Sequence, residues 1–296
     1  MDLDTYFIEV IKNCLFQASL IFLLGIGFSF NYRTTRVFHI ALGIPFVAGG
    51  YITYLVITIF NINEPLAYSF GAMSGFFIGI LIDRTVYYWL DKREASSSLR
   101  LVASLGVYFV GAGLFALIFG NRMRVITNGE SSSWKWNGVI ITTDDIIYIG
   151  SALIVALCLS IVLKRSKLGL RLQAGADNPQ LFQALGYRLV VIRMIAVGLG
   201  SAVAGWAGAL ESARNGIDPY AGLPIVIMGA VACILGGNSF VTGPLAGALI
   251  LGMARTLTTQ IFSDRWINTV SYLILFLLVW RDPRGVIGSR FGEDRE

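Results

Sequence analysis

The stretch from Leu189 to Leu210 reads LVVIRMIAVGLGSAVAGWAGAL. It is long enough to cross a bilayer as a helix, which takes about 20 mostly apolar residues. Small residues recur along it at three- and four-residue spacing, which allows helix backbones to approach closely in lipid. They are Gly198, Gly200, Ala202, Ala204, Gly205, Gly208 and Ala209. The stretch therefore predicts a spanning helix that packs tightly against its neighbours.

The composition extends this conclusion to the rest of the chain. Of 296 residues, 55% are hydrophobic and 14% are charged, and the mean hydropathy is +0.70. A soluble globular fold is excluded, because about a quarter of the residues in such folds are charged. The apolar runs also lack the alternation of a membrane barrel. The sequence predicts an all-α polytopic membrane protein with a single transmembrane domain over residues 1–296.

Nine apolar runs can be distinguished along the chain. The seventh and the ninth are short, and runs of that length can be tilted or re-entrant. We therefore expect about nine transmembrane or re-entrant helices. The runs are Phe7–Phe30, Val37–Phe60, Leu66–Ile82, Leu99–Gly120, Ile146–Leu163, Leu189–Leu210, Tyr220–Leu235, Gly243–Phe262 and Trp266–Trp280.

The charges between the runs predict the orientation. Basic residues cluster after the first, third, fifth and ninth runs, which all end on one side if the runs alternate. The positive-inside rule makes that side cytoplasmic. The N-terminus is then outside and the C-terminus is cytoplasmic. Arg122 and Arg124 depart from the pattern, because they fall on the outer side.

Three connections have a character of their own. Residues 83–98 mix aromatic and charged side chains, which is typical of a helix at the cytoplasmic interface. Residues 121–145 form the longest outer loop, where Asn137-Gly138 predicts a hairpin turn before Val139–Thr142. Residues 164–188 are basic and rich in helix formers.

The third connection is the most informative of these. From Lys164 to Gly186 it reads KRSKLGLRLQAGADNPQLFQALG, which is long for an ordinary tight connection. Gly169 and Pro179 bracket a short predicted helix, Leu170–Asn178, and Leu181–Leu185 can add another turn. We expect a cytoplasmic docking surface here; a solvated charged loop is the alternative.

The chain shows no catalytic constellation. It has no GxxxxGK[ST] phosphate loop, no HExxH and no cluster of Cys and His residues. Catalysis, an ATPase site and a metal site in this chain are therefore not expected. His39 is the only histidine, and either a proton carrier or a hydrogen-bonded packing residue fits it. Arg255, inside the eighth run, either extends to the interface or pairs with an acid.

Several motifs follow in the C-terminal third. They are Ile217-Asp218-Pro219-Tyr220-Ala221-Gly222, Ile234-Leu235-Gly236-Gly237-Asn238-Ser239, the glycine-spaced run Thr242–Gly252, and the tail Arg281-Asp282-Pro283-Arg284-Gly285-Val286-Ile287-Gly288. Together they resemble the membrane permeases of branched-chain amino acid ABC importers. The tail is similar to the closing motif of that family, with an extra Asp.

The resemblance implies roles for individual residues. Residues implied in coupling to an ATPase are Gly169, Leu170, Arg171, Ala174, Asp177, Asn178, Pro179, Leu185 and Gly186. Candidates for the translocation path are His39, Ala41, Gly43, Asp218, Pro219, Gly236, Gly237 and Asn238. One departure concerns the second run, where His39-Ile40-Ala41-Leu42-Gly43 stands in place of the family's Asn-Phe-Ala-His-Gly. If the changed polar pair contacts the solute, substrate or affinity differs from the family norm.

The resemblance also implies a transport machine in a bacterial inner membrane. The chain would pair with a second homologous permease as a heterodimer. Two cytoplasmic ATPase subunits would bind ATP and Mg, and an extracytoplasmic solute-binding protein would deliver the cargo. The expected cargo is a branched-chain or other neutral amino acid. Alternatives are urea, short amides or another small solute, or a stand-alone secondary carrier or channel.

Overall fold

The computed structural model describes residues 3–126, 133–136, 139–237, 239–261 and 266–281. Its helices are α1 (Leu3–Thr35), α2 (Gly43–Thr58), α3 (Glu64–Ile82), α4 (Tyr88–Lys92), α5 (Ser97–Phe119), α6 (Thr143–Arg165), α7 (Lys167–Asp177), α8 (Pro179–Ala184), α9 (Leu189–Arg214), α10 (Gly222–Gly236), α11 (Thr242–Ile261) and α12 (Ile267–Arg281). A 3₁₀ turn covers Ile40–Leu42 and a π turn covers Asp83–Tyr87.

The predicted helical membrane fold is confirmed. Within the described part of the chain, six helical segments are long and apolar enough to cross a membrane. They are Thr5–Thr35, Ile40–Thr58, Glu64–Lys92, Ser97–Phe119, Thr143–Arg165 and Leu189–Arg214. The seventh, eighth and ninth runs fall on α10, α11 and α12. The orientation of the termini stays a prediction, and most of the tail motif lies outside the described residues.

The chain divides into two compact units. The first comprises residues 1–25, 128–157 and 228–296, and the second comprises residues 26–127 and 158–227. Each unit draws on segments that are distant in sequence.

The second unit is organised by close packing of α9 against α2 and α3. A Cβ added at Gly205 of α9 would lie 2.6 Å from the carbonyl oxygen of Gly71 in α3. A Cβ at Gly208 would overlap the backbone of Phe46 in α2. The small residues of the sixth run therefore bring helix backbones into direct contact, as the sequence predicts.

The first unit contains the outer-loop hairpin. Strands β1 (Ser133–Trp136) and β2 (Val139–Thr142) pair antiparallel, with Trp136 opposite Val139. The predicted hairpin is confirmed, although the turn residues 137 and 138 lie outside the described residues. The Lys12 ammonium donates to the carbonyl oxygen of Ile140 at 2.8 Å and lies 3.7 Å from the Asp145 carboxylate, so α1 and α6 anchor the hairpin.

The segment predicted to be interfacial continues α3 without a break. The π turn Asp83–Tyr87 leads directly into α4, which ends at Lys92. Helix α5 then begins at Ser97 and is capped by Ser96, whose hydroxyl accepts a hydrogen bond from the Leu99 amide at 3.3 Å. The position of residues 83–98 relative to the membrane stays a prediction.

Gly205→Ala should lower the free energy of unfolding by about 1–3 kcal/mol, because the methyl group would meet the backbone of α3. Gly113→Ala in α5 is a matched control, since nothing lies within 4 Å of a Cβ added there. That control should be neutral or stabilising by up to about 1 kcal/mol. Thermal unfolding of both variants in detergent measures the difference, and equal losses would contradict the packing described.

Candidate functional site

The segment Lys164–Gly186 folds into α7 and α8. The buried residues of α7 recur at three- and four-residue spacing, so one side of the helix faces the protein. They are Gly169, Leu172, Gly175 and Ala176, and Phe182 is the buried residue of α8. The predicted docking segment is therefore a pair of packed helices with one free surface, which excludes the solvated loop.

Local hydrogen bonds fix where these helices begin and end. The hydroxyl of Ser166 accepts from the Gly169 amide at 2.9 Å, and the side chain of Asn178 accepts from the Leu181 amide at 3.0 Å. Both are N-caps. The first helix was predicted at Leu170–Asn178 and begins three residues earlier, because Ser166 caps it. Gly186 follows α8 at φ +85°, the left-handed conformation common after a helix.

Most of the predicted coupling residues lie on the free surface. Leu170 and Leu185 are 59% and 67% exposed, and Leu181 beside them is 56% exposed. The guanidinium of Arg171 lies 5.4 Å from the centre of the Tyr187 ring. Ala174 and Asp177 are also exposed, whereas Gly169 is buried against α6. Exposed leucines on the free surface of these two helices are suited to contact with another protein.

Two arginines at the end of α1 bind the end of α7. Arg33 forms an ion pair with Asp177 at 2.9 Å, and Arg36 donates to the carbonyl oxygen of Ala176 at 3.1 Å. In the sequence, both arginines belong to the basic cluster after the first run, which indicates orientation alone. The structure shows that they also join the coupling segment to the first spanning helix.

Two of the motifs predicted for the translocation path meet in the second unit. A Cβ added at Gly222 would lie 2.5 Å from the carbonyl oxygen of Gly43. The Tyr108 hydroxyl of α5 donates to the carbonyl oxygen of Tyr220 at 2.9 Å and accepts from the Leu223 amide at 3.1 Å. Tyr108 thus joins the start of α2 to the start of α10, a role that no sequence signal indicated.

Polar groups of both motifs form hydrogen bonds that hold the backbone around them. The carboxylate of Asp218 accepts from the Tyr220 amide at 2.8 Å and shapes the turn that contains the buried Pro219. The Ala41 amide donates to the Ser104 hydroxyl at 2.9 Å, which ties the 3₁₀ turn to α5. These contacts hold the motifs in place.

His39 lies in the short connection between the first two candidate spans. It is 1% exposed, and its ring lies 4.6 Å from the ring of Tyr87, measured between centroids. Burial lowers the pKa of His39 below its usual range, so the ring is neutral at neutral pH. A buried, neutral ring packed on a tyrosine favours the packing interpretation over a proton carrier.

The remaining path candidates belong to the first unit. Helix α10 ends at Gly236, and Gly237 follows at φ +89°. A Cβ at Gly236 would overlap the backbone of Gly243, and the Gly243 amide donates to the Ser239 hydroxyl. The helix therefore ends inside this motif, while Asn238 lies outside the described residues.

Arg255 of α11 also belongs to the first unit. Its Nε donates to the side-chain oxygen of Gln17 in α1 at 3.2 Å. This contact joins α11 to α1 within the chain.

Six apolar helices long enough to cross a membrane, within the described part of the chain, define a multi-pass membrane protein. The chain belongs to the branched-chain amino acid transport system permease component family, whose model matches residues 10–279. It is thus an ABC-transporter permease, a transport subunit.

Relatives along nearly the whole chain agree with this family. The high-affinity branched-chain amino acid permease LivH of Salmonella typhimurium is 26% identical and covers 96% of each chain. BraD of Pseudomonas aeruginosa, which bears the same description, is 24% identical over 96% of each chain. Among solved structures, PsaBC from Streptococcus pneumoniae in complex with Fab is 14% identical, with a TM-score of 0.51 over 93% of each chain. That similarity supports the fold alone.

Tyr108→Phe should lower the free energy of unfolding by about 1–3 kcal/mol, because it removes the hydroxyl that bonds both the Leu223 amide and the Tyr220 carbonyl in a part-buried junction. Tyr54→Phe in the neighbouring α2 is the matched control and should change stability by less than about 1 kcal/mol. Denaturant unfolding in detergent measures both. Equal stability of the two variants would show that the junction does not depend on Tyr108.

Proposed function

We propose that this chain is the membrane-spanning permease subunit of an ATP-driven importer for branched-chain or other neutral amino acids. The names of LivH and BraD support this substrate class, since both refer to branched-chain amino acid transport. Both relatives match along nearly the whole chain, so the proposal extends to the whole permease subunit, which forms half of a translocation path, and not to one segment.

The observation that carries the coupling role is the geometry of α7 and α8. Leu172 and Phe182 are buried and pack the pair against the protein. The leucines on its free side are exposed. A rigid helix with an apolar free surface can receive force from a partner protein. A solvated loop could not transmit that force, because it would yield.

The contacts of α7 supply a route for the force. Arg33 and Arg36 bind α7 to the end of α1, and Gly169 packs against the end of α6. Two cytoplasmic ATPase subunits, which would bind ATP and Mg, would close in an ATP-driven step and displace α7 and α8. Helices α1 and α6 would then move as rigid bodies, which is a common form of gating.

The rest of the machine follows from the same proposal. A second homologous permease would complete the translocation path as a heterodimer, and an extracytoplasmic solute-binding protein would deliver the amino acid. The His39–Gly43 and Asp218–Gly222 motifs are the parts of the path contributed by the second unit. Gly236 and Gly237 are those contributed by the first.

One observation favours a second candidate cargo. The autoinducer 2 import permease LsrC of Salmonella paratyphi B is 26% identical over 72% of this chain and 60% of its own length. This chain is therefore related to a permease whose name refers to a different small solute, autoinducer 2. Together with the His39–Gly43 departure, this keeps a small polar solute such as urea or a short amide as the alternative.

Purification of the chain from its native membrane tests the proposal. Co-elution with an ATPase and a second permease, and ATP-dependent uptake of leucine by the reconstituted complex, are the expected results. Transport by the chain alone would contradict an ATP-driven importer. Uptake of urea but not leucine would retain the machine and replace the cargo.

Leu185→Glu should abolish transport-linked ATP hydrolysis without affecting the fold, because the side chain is 67% exposed and the charge would face an apolar partner surface. Val125→Glu, at a residue 51% exposed in the predicted outer loop, is the matched control and should retain coupling. Solute-stimulated ATPase activity of both complexes is the measurement. Full stimulation of the Leu185 variant would count against the docking role of α8.

A further inference from the structure

A cavity of about 350 Å³ opens beside α8 in the second unit. Its walls come from the π turn and α4, from α8, and from the first turn of α9. The volume falls within the ~300–1,000 Å³ that is typical of small-molecule sites. The residues that line it are distinct from the coupling and path residues described above.

The charges that line this cavity balance. Asp83 and Asp91 supply two carboxylates, and Lys92 and Arg193 supply two cations. A singly charged anion or cation would gain from one pair and be repelled by the other. A molecule that carries both charges can satisfy both, which favours a zwitterion.

One of the carboxylates is already neutralised by the protein. Asp91 lies 2.6 Å from a guanidinium nitrogen of Arg193 and 3.2 Å from one of Arg100. Asp83 is 8% exposed and lines the same cavity. Because a buried carboxylate is stabilised by a nearby cation, Asp83 is the group best placed to receive an ammonium.

Arg193 retains capacity for an acceptor. One of its terminal nitrogens is engaged with Asp91, while the side chain is 17% exposed and lines the cavity. Lys92 is exposed, and its ammonium lies 5.7 Å from the centre of the Trp89 ring. Both cations can therefore bind a carboxylate in addition to their present contacts.

The remaining wall is suited to an apolar side chain. Leu189 and Val190 from α9 and the ring of Tyr88 from α4 line the cavity, and Gln183 is the contribution of α8. An apolar wall next to a balanced pair of charges matches the chemistry of a neutral α-amino acid.

We propose that this cavity binds a free neutral amino acid on the side of the membrane where α7 and α8 lie. Arg193 and Lys92 bind the carboxylate, and Asp83 binds the ammonium. The side chain of the amino acid packs on Leu189 and Val190.

Occupancy of the cavity has a mechanical consequence that rests on the proposed function. Gln183 belongs to α8 and Asp83 to the extension of α3, so a bound amino acid links the two and opposes displacement of α8. Accumulated product would thereby slow import. Binding itself does not depend on the proposed function, so the two can fail separately.

The binding test uses the full-length chain in nanodiscs of phosphatidylglycerol, a lipid without an ammonium group, so that no headgroup can imitate the ligand. Radiolabelled leucine should bind saturably. Isocaproate, which lacks the ammonium, and isoamylamine, which lacks the carboxylate, should compete at least about tenfold less well than leucine, because each loses one charge-assisted contact. Absence of saturable binding, or equal competition by either analogue, would overturn the proposal.

Variants locate the binding. Asp83→Asn should weaken leucine binding about tenfold or more, and Lys92→Gln, at an exposed position that does not perturb folding, should weaken it several-fold. Arg93→Gln, at an exposed residue of the same segment that does not line the cavity, is the matched control and should leave the affinity unchanged. Unchanged affinity in Lys92→Gln and in folded Asp83→Asn would place the leucine elsewhere and refute the site.

The regulatory part is tested in proteoliposomes of the assembled transporter. Leucine on the α8 side should reduce ATP hydrolysis in the wild type and not in Asp83→Asn. Persistent hydrolysis in the wild type at saturating leucine would overturn the regulatory role. A complex with no ATP hydrolysis at all would refute the proposed function instead, and the binding measurements would still decide the site.

Discussion

Direct contact between helix backbones is the constraint on which the second unit depends. Gly205 and Gly208 of α9 touch the backbones of α3 and α2, and Gly200 lies against Gly27 of α1 in the same way. In lipid, where no hydrophobic force drives helices together, such close packing supplies much of the attraction. It also means that α9 cannot shift relative to α2 and α3 without losing many contacts at once, so these helices are expected to move as one body.

The functional elements are attached to the two ends of this body. Arg193, in the first turn of α9, faces the cavity beside α8, and the turn shaped by Asp218 follows the other end. Few but specific hydrogen bonds make the attachments, such as those of Tyr108 to the start of α10. The exposed ion pair between Arg33 and Asp177 adds little stability, about 1 kcal/mol or less. The ion pair instead specifies which helix α7 is attached to, because it joins α7 to α1.

The sequence was most informative where the determining pattern is local. Apolar length predicted the helices on which the nine runs lie, and Asn137-Gly138 predicted the hairpin. Helix α7 begins three residues before the predicted Leu170, because the Ser166 hydroxyl caps it and Gly169 does not end it. Single-residue caps are local signals, so this error could have been avoided.

Other features depend on residues far apart in the chain. Arg33 and Asp177 are separated by 144 positions, and Tyr108 and Tyr220 by 112. No periodicity or motif connects such pairs, because only the packing of the helices between them brings them together. The cavity beside α8 could not be predicted from the sequence for the same reason. Its carboxylates and cations come from residues 83–92 and from α9, and each charge alone resembles an ordinary residue of a cytoplasmic loop.

The central claim is that α8 receives force from an ATP-hydrolysing partner. The most direct measurement places a photo-crosslinking amino acid at position 181, on the exposed side of α8, and irradiates the native membrane. We expect a covalent adduct with an ATPase subunit when the crosslinker is at position 181. No such adduct should form when it is at the exposed position 125 in the predicted outer loop. Adducts with lipid alone at position 181, in membranes that transport the solute, would contradict it.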